Sequence, residues 1–209
     1  SSGVTVTGTV NAVTVTLTDT RDGQTIDFQG AVTATSLTTA AQGYNVRFRN
    51  GGTITNAVTF SNTGSLTIDA GFTFTGGVVA TAPSSKSIGG TVAASGTGVI
   101  NFGTTGSTIT ADGTIGGTST GQITLASVTI NDGVTLTLGA GAASPVSAGA
   151  IQGVAGGTAS NITINVADNA ANPVVQIASI GTDIGTVTVT QSSGVTVTGT
   201  VNAVTVTLT

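Results

Sequence analysis

The stretch Val58–Val78 reads VTFSNTGSLTIDAGFTFTGGV and decides the fold predicted for this chain. Apolar residues alternate with Thr, Ser or Asn in short runs that begin at Val58, Leu66 and Phe72. Such alternation is typical of β-strands with one buried face. Asn-Thr-Gly, Asp-Ala-Gly and Gly-Gly separate the runs and supply the backbone conformations of sharp bends. The three steps that lead from Val58 through Leu66 and Phe72 to Val78 predict one circuit of a three-sided coil.

The same alternation extends through the rest of the chain. Helical spacing is sustained nowhere, and the stretch 139–156 has too many glycines for a stable helix. Turn signals every five to eight residues favour a β-solenoid over an immunoglobulin-like sandwich, whose turns come about every 8–12 residues. The predicted fold is therefore all-β, a right-handed parallel β-helix. Its further predicted strands are Val4–Val6, Val13–Leu17, Ile26–Phe28, Val46–Phe48, Ile100–Phe102, Ile123–Leu125, Val128–Ile130, Val134–Leu138, Ile162–Val166 and Val187–Val189.

Residues 1–18, SSGVTVTGTVNAVTVTLT, recur unchanged as residues 192–209. The identity indicates a tandem array whose period is the segment 1–191, an engineered duplication, or a piece of a longer polymer. We divide the chain accordingly into one repeat unit, 1–191, and the start of the next, 192–209. At about 21 residues per coil, the period would hold about nine coils and rise about 43 Å, and the duplicated segment would form about one more coil.

A donor-strand-complemented β-sandwich is the alternative architecture. In that case residues 1–18 would complete a sandwich in a neighbouring subunit, as in a donor-strand-exchange pilin, and residues 192–209 would copy the donor strand. On either interpretation, alternating apolar residues of the two copies form the junction between repeats or subunits. These residues are Val4, Val6, Val10, Val13, Val15, Leu17, Val195, Val197, Val201, Val204, Val206 and Leu208.

Composition argues against catalysis. Only 6% of the 209 residues are charged, and His, Cys, Met, Trp and Glu are absent. Neither a Ser-His-Asp nor a Cys-His arrangement is therefore available, and zinc lacks its commonest ligands. We expect no enzymatic activity and no cofactor. A carbohydrate-active β-helix enzyme, the third interpretation, would require several of the eight Asp residues to converge on one face.

Composition also limits the partners. A net charge of −4 leaves no basic patch for a nucleic acid. No apolar run approaches the roughly 18 residues of a membrane-spanning helix. Disorder is excluded by the mean hydropathy of +0.42, because disordered chains are hydrophilic and highly charged. Copies of the chain itself are the expected partners, with surface glycans or other fibres as further candidates.

The densest polar cluster begins at Asp19. Asp19, Asp22 and Asp27 are the weak candidates for a metal site, because carboxylate oxygens are the ligands that calcium prefers. Their spacing matches no established calcium loop, and Arg21 lies among them. A solvated loop with a local ion pair is the favoured interpretation.

Four other side chains carry specific hypotheses. Arg47 and Arg49 lie on the outward side of a predicted strand, where they would bind an anionic glycan or pair with an Asp of a neighbouring coil or fibre. Lys86, the sole lysine, falls in a predicted loop, 83–87, and is a candidate for an isopeptide bond, although no partner acid is identifiable. Asn161 begins an N-glycosylation sequon.

The stretches Thr53–Pro83 and Ser127–Asn165 resemble repeats of large bacterial surface proteins. Filamentous haemagglutinin-like exoproteins and autotransporter passengers share this rhythm of Gly, Asn, Thr and Val, and the resemblance covers about two thirds of the chain. It implies an extracellular β-helical stalk or adhesin. We therefore expect a structural repeat unit of an extracellular fibre or giant surface stalk, which assembles head-to-tail for adhesion or biofilm scaffolding.

Overall fold

The computed structural model describes residues 2–168 and 174–209, so Ser1 of the duplicated segment lies outside the described residues. Within them the chain forms 23 strands of one sheet and no helix. Every ladder between these strands is parallel. The chain is thus a β-solenoid, as predicted. The sandwich alternative is wrong, because it needs two facing sheets of antiparallel strands.

Each coil of the solenoid has three faces, and each face is a ladder of strands from successive coils. Face A contains β1 (Val4–Val6), β3 (Thr25–Phe28), β5 (Asn45–Phe48), β8 (Ser65–Ile68), β11 (Ser85–Gly89), β14 (Ser107–Ala111) and β17 (Val128–Ile130). Face B contains β6 (Gly52–Ile54), β9 (Phe72–Phe74), β12 (Val92–Ala94), β15 (Gly113–Gly117), β18 (Thr135–Leu138) and β20 (Ser160–Asn165). Face C contains β7 (Val58–Thr59), β10 (Val78–Val79), β13 (Ile100–Phe102), β16 (Ile123–Leu125) and β22 (Val195–Val197).

Five longer strands turn a corner and contribute to more than one face. Strands β2 (Val10–Leu17) and β4 (Val32–Thr39) run from face B to face C. Strand β19 (Val146–Gly153) runs from face C to face A. Strand β21 (Val175–Gln191) covers faces C, A and B, and β23 (Val201–Leu208) runs from face A to face B.

A column of paired residues on face A measures the coils. It takes nine steps from Val4 to Val201, which at about 4.8 Å per step gives a rise of about 43 Å. The steps are similar in length except for the longest, from Ile151 to Ile180, a coil that includes residues 169–173. The intermediate members are Ile26, Val46, Leu66, Lys86, Ser107, Val128, Ile151 and Ile180.

The circuit predicted from the opening stretch is confirmed. Val58 pairs with Val78 on face C, so these two residues begin and end one coil. Between them the chain passes through β8 on face A and β9 on face B. Alternation and glycine spacing therefore predicted the number of faces correctly.

Apolar side chains fill the interior of the stack. Phe48 is fully buried, and its ring centroid lies 5.2 Å from that of Phe28 and 4.8 Å from that of Phe72. Phe60 and Phe74 extend this aromatic cluster in a T-shaped contact with centroids 6.0 Å apart. Each aromatic pair contributes about 0.5–1.5 kcal/mol beyond the burial of its area. The column that contains Phe28 and Phe48 continues in the later coils with Ile68, Ile88, Ile109 and Ile130.

The corners require small or hydrogen-bonding residues. Gly77 has φ of 101°, and a Cβ atom there would lie 2.7 Å from the backbone N and O of Val99 in the next coil. Asn62 is fully buried, and its Nδ2 donates to the carbonyl oxygens of Tyr44 at 3.1 Å and Ser65 at 3.3 Å. Such bonds are needed because a buried backbone carbonyl without a partner is costly. The Asn and Gly punctuation of the sequence thus builds the corners.

Two local predictions were wrong or incomplete. The predicted loop 83–87 overlaps β11, because main-chain pairing with β8 and β14 continues through it. The glycine-rich stretch 139–156, for which no strand was predicted, contains β19. A Cβ atom at Gly149 would lie 2.9 Å from the backbone of Ala126, so only glycine fits at that point of the strand without a shift.

Replacement of a core aromatic residue tests this packing. We expect Phe48→Ala to lower the free energy of unfolding by about 3–5 kcal/mol, because the cavity lies at the centre of the aromatic cluster. Val13→Thr is the control: Val13 is 77% exposed, so its replacement should change stability by less than about 0.5 kcal/mol. Denaturant unfolding followed by circular dichroism measures both, and equal effects would contradict the assigned core.

Candidate functional site

Four charged side chains lie close together on the outside of face A. Arg49 Nε donates to Asp27 Oδ1 at 2.8 Å and Oδ2 at 3.0 Å, and Arg47 Nε donates to Asp69 Oδ2 at 2.6 Å. Each ion pair joins neighbouring coils, which is one of the alternatives that the sequence left open for the two arginines. The cluster is electrically neutral. An anionic ligand would therefore have to compete with carboxylates that already occupy both guanidinium groups.

The two ion pairs differ in exposure. The difference lies in the carboxylates, because the Asp27 side chain is 12% and that of Asp69 29% exposed, whereas Arg49 at 42% and Arg47 at 39% are similarly exposed. The hydrogen bond from Arg49 lowers the pKa of Asp27 below its ordinary value, and partial burial opposes this effect. Because solvent screens exposed pairs, the pair that contains Asp27 is the one whose electrostatics matter most.

The candidate calcium ligands do not converge. Asp19 is exposed, Asp22 Oδ1 accepts a hydrogen bond from the Gly43 N–H at 3.2 Å, and Asp27 is paired with Arg49. Across residues 2–168 and 174–209, no three carboxylates lie close enough to hold a metal ion.

Lys86 faces the interior rather than a surface loop. It is 2% exposed and lies in its column between Leu66 and Ser107. Its Nζ donates to Thr105 Oγ1, whose hydroxyl donates to the Pro83 carbonyl at 2.7 Å. Burial lowers the pKa of Lys86. Since the partner of Nζ is a hydroxyl, not the carboxyl or carboxamide that an isopeptide bond requires, the lysine acts here as a buried polar contact between coils.

Asn161, the first residue of the sequon, also serves the stack. It is half-buried in β20, and its Oδ1 accepts a hydrogen bond from the Thr186 N–H of the next coil at 3.0 Å. Sequence reasoning could not show this role, because the bond depends on the register between β20 and β21.

The duplicated segment forms both terminal coils and keeps its local shape in each. The same six positions of each copy stand in register with inward-facing residues of the adjoining coil. In both copies the same valine points outward at a corner: Val13 is 77% exposed and Val204 is 85% exposed. The predicted alternation is therefore interrupted there. The inward residues are Val4, Val6, Val10, Ala12, Val15 and Leu17, and in the second copy Val195, Val197, Val201, Ala203, Val206 and Leu208.

The two copies differ in how far they are covered. Leu17 is 7% exposed, whereas its counterpart Leu208 is 75% exposed. Leu17 is covered by the following coil, in which the Tyr44 hydroxyl donates to the Leu17 carbonyl at 2.8 Å. In this structure no coil lies beyond Leu208. Each copy thus has one covered and one open side: Val4 at the open side of the first copy is 42% exposed, and Leu208 at the open side of the second is 75% exposed.

No protein family matches this chain, and neither curated proteins nor solved structures show a detectable similarity to it. The resemblance to bacterial surface repeats therefore extends to the β-helical architecture alone. In the part of the chain that the structure describes, no helix is long and apolar enough to cross a membrane.

The Asp27–Arg49 pair predicts an acid-dependent contribution to stability. Because the folded-state pKa of Asp27 is lowered, the contribution is present above its ordinary value of 3.8 and is lost as the pH falls through the folded-state value. We expect Arg49→Gln to raise the pKa of Asp27, measured by carboxyl NMR titration. Arg47→Gln, which breaks the other pair, should raise it much less. Equal shifts in the two variants would contradict the assigned pairing.

Burial of Lys86 should make the free energy of unfolding depend on pH in the alkaline range. Since its folded-state pKa lies below its ordinary value of 10.5, the unfolded chain binds more protons between these values, and stability rises with pH there. As the pH rises toward 10.5, the free energy of unfolding should rise in the parent and in an Arg21→Gln control. Lys86→Met should lack this rise. The same slope in Lys86→Met would show that the lysine is not buried as a cation.

Proposed function

We propose that this chain is a structural repeat unit of an extracellular β-solenoid fibre or giant surface stalk. The repeats follow one another head-to-tail and serve adhesion or biofilm scaffolding. This function needs no catalytic residue and no cofactor. It uses the length and rigidity of the stack, and the grid of outward side chains that the stack displays.

The duplicated coil is the main support for the proposal, because each of its two edges pairs with strands of this same chain. In the first copy, one edge of the coil supports β3 and β4: Val4 pairs with Ile26 and Val10 with Val32. In the second copy, the opposite edge lies on β21. A chain that continued from 209 with the sequence from residue 19 onward would therefore place a known coil on a known coil, with no new interface and no cap.

The chemistry of the edge at residues 201–208 suits a further coil. The inward and corner residues of the second copy include Val201, Val206 and Leu208, which are 45%, 52% and 75% exposed. A parallel edge with free backbone groups and exposed apolar side chains is prone to pair with a further strand. The next repeat would satisfy that edge with the sequence that already covers the first copy.

The extracellular setting is supported by composition and by the rhythm of the sequence. Four Lys and Arg residues in 209 offer few sites to trypsin-like proteases, and there is no Cys or Met to oxidise. The pilin alternative loses its premise, because it requires an incomplete sandwich and this chain is a solenoid.

The paired leucines of the duplicated coil test the proposal. In the 209-residue chain, we expect Leu17→Ala to cost about 2–5 kcal/mol, because Leu17 is buried, and Leu208→Ala to cost less than about 0.5 kcal/mol. In a chain of two periods, residues 1–191 followed by residues 1–209, the leucine at position 208 should become as costly to replace as Leu17. Denaturant unfolding gives the values.

Hydrogen exchange at the junction gives a second readout of the same two-period chain. Amide protons of residues 201–208 should become protected when the next coil covers them. The tandem arrangement would be overturned if replacement of the leucine at position 208 still left the free energy of unfolding unchanged and the amide protons of residues 201–208 still exchanged fast.

A further inference from the structure

The two copies of the duplicated segment lie on different faces of the solenoid. In the first copy, Val4–Val6 lie on face A beneath β3, and the two halves of Val10–Leu17 lie on faces B and C beneath β4. In the second copy, Val195–Val197 lie on face C above the start of β21. β23 then begins on face A with Val201.

The rest of the second copy follows the same displacement. Val204 occupies the corner, as Val13 does in the first copy, but this corner joins faces A and B instead of B and C. Beyond it, Thr205–Leu208 pair with Thr186–Val189 on face B. Every part of the segment has moved back by one face, while its inward residues and its corner have stayed the same.

We infer that one period, the segment 1–191, winds through eight and two-thirds coils, so that each repeat of the array is turned by one third of a revolution relative to the last. The inference rests on the proposed tandem arrangement. From Val4 on face A, eight complete coils lead to Ile180, and the chain then crosses face B and reaches Val195 on face C. At about 4.8 Å per coil, one period rises about 42 Å.

Three repeats complete the rotation. They contain about 26 coils and return the sequence to its starting face after about 125 Å. The rotation leaves local packing unchanged, because the coil of the duplicated segment has the same corner and the same inward residues in both orientations. What changes is the direction in which each repeat displays its surface.

The rotation distributes any feature that occurs once per period over three sides of the fibre. The cluster of Asp27, Arg47, Arg49 and Asp69 lies on face A of the repeat described here. In the next repeat the same cluster would lie on face C, and in the following one on face B. A fibre built in this way has no unique side, so it presents the same groups to neighbours in three directions.

The register behind the step is tested in the 209-residue chain itself. Gln176 and Thr196 are exposed neighbours on face C. Since the chain has no cysteine, Gln176→Cys with Thr196→Cys gives a unique pair of thiols, which a short bifunctional thiol reagent should link intramolecularly in high yield. The control combines Ser179→Cys with Thr196→Cys. Ser179 lies on face A, and Thr196 would lie close to it if the second copy occupied the same faces as the first, in which Thr5 is on face A. Efficient linkage in the control alone would overturn the inference.

The rotation is tested in a four-period chain with cysteines at position 67 of chosen repeats. Thr67 lies on the outside of face A. Each thiol is tagged with biotin and a monovalent streptavidin and located by electron microscopy. Tags on the first and second repeats should lie about 42 Å apart along the axis and one third of a turn apart around it. Tags on the first and fourth repeats should lie on the same side.

The possible failures are distinguishable. Tags on the first and second repeats that lie on the same side of a straight rod, about 43 Å apart, would overturn the rotation and leave the fibre proposal intact. Particles without a rod, or without a regular axial spacing between tags, would overturn both.

Discussion

Main-chain pairing between each strand and the strand one coil later is the constraint on which the rest of the structure depends. It satisfies the backbone hydrogen-bonding groups of every face and aligns the inward residues in columns. Extra residues are tolerated only where they leave this pairing intact. The coil from Ile151 to Ile180 is the longest of the column, yet its strands stay paired with both neighbouring coils, with local register shifts in the β20–β21 and β21–β23 ladders. The same constraint removes side chains from tight corners, as at Gly77, where the next coil leaves no room for a Cβ atom.

Pairing of this kind also decides where chemistry is possible. Inward columns demand apolar residues, so polar groups are confined to outward rows and corners, where neighbouring coils bring them together. Asp27 and Arg49 are distant in sequence but belong to adjoining coils, so they meet in an ion pair. Lys86 and Ser107 are exceptions, because both occupy buried positions in the inward column of face A. Lys86 Nζ donates its hydrogen bond to the Thr105 hydroxyl. These charged side chains thus take part in contacts between neighbouring coils.

The sequence predicted the parts of this fold that depend on local pattern. Runs such as Leu66–Ile68 and Phe72–Phe74 were located correctly, because alternation and glycine punctuation act within a few residues. Lys86 was misplaced because proline and serine before it suggest a loop, whereas pairing with Leu66 and Ser107 draws the segment into the ladder. Pairing of Arg47 with an acid of another coil was one of the alternatives considered, but the choice between them and the identity of the acid as Asp69 needed the register. Val13 was expected to face inward, since a corner inside an alternating run leaves no signal in the sequence.

The face on which each repeat begins depends on the whole of the preceding repeat and not on any short stretch of it. Each coil needs only its neighbour in order to pack, so coils as unequal as the one from Ile26 to Val46 and the one from Ile151 to Ile180 both fit the ladder. The face on which a period ends is the sum of those lengths and of every corner, which no short stretch of sequence reveals. Because the duplicated coil packs with the same residues on either set of faces, no energetic penalty restores the phase to zero. A fibre of identical repeats consequently keeps the rotation that its first period introduces, and its symmetry follows from the number of faces that one period leaves incomplete.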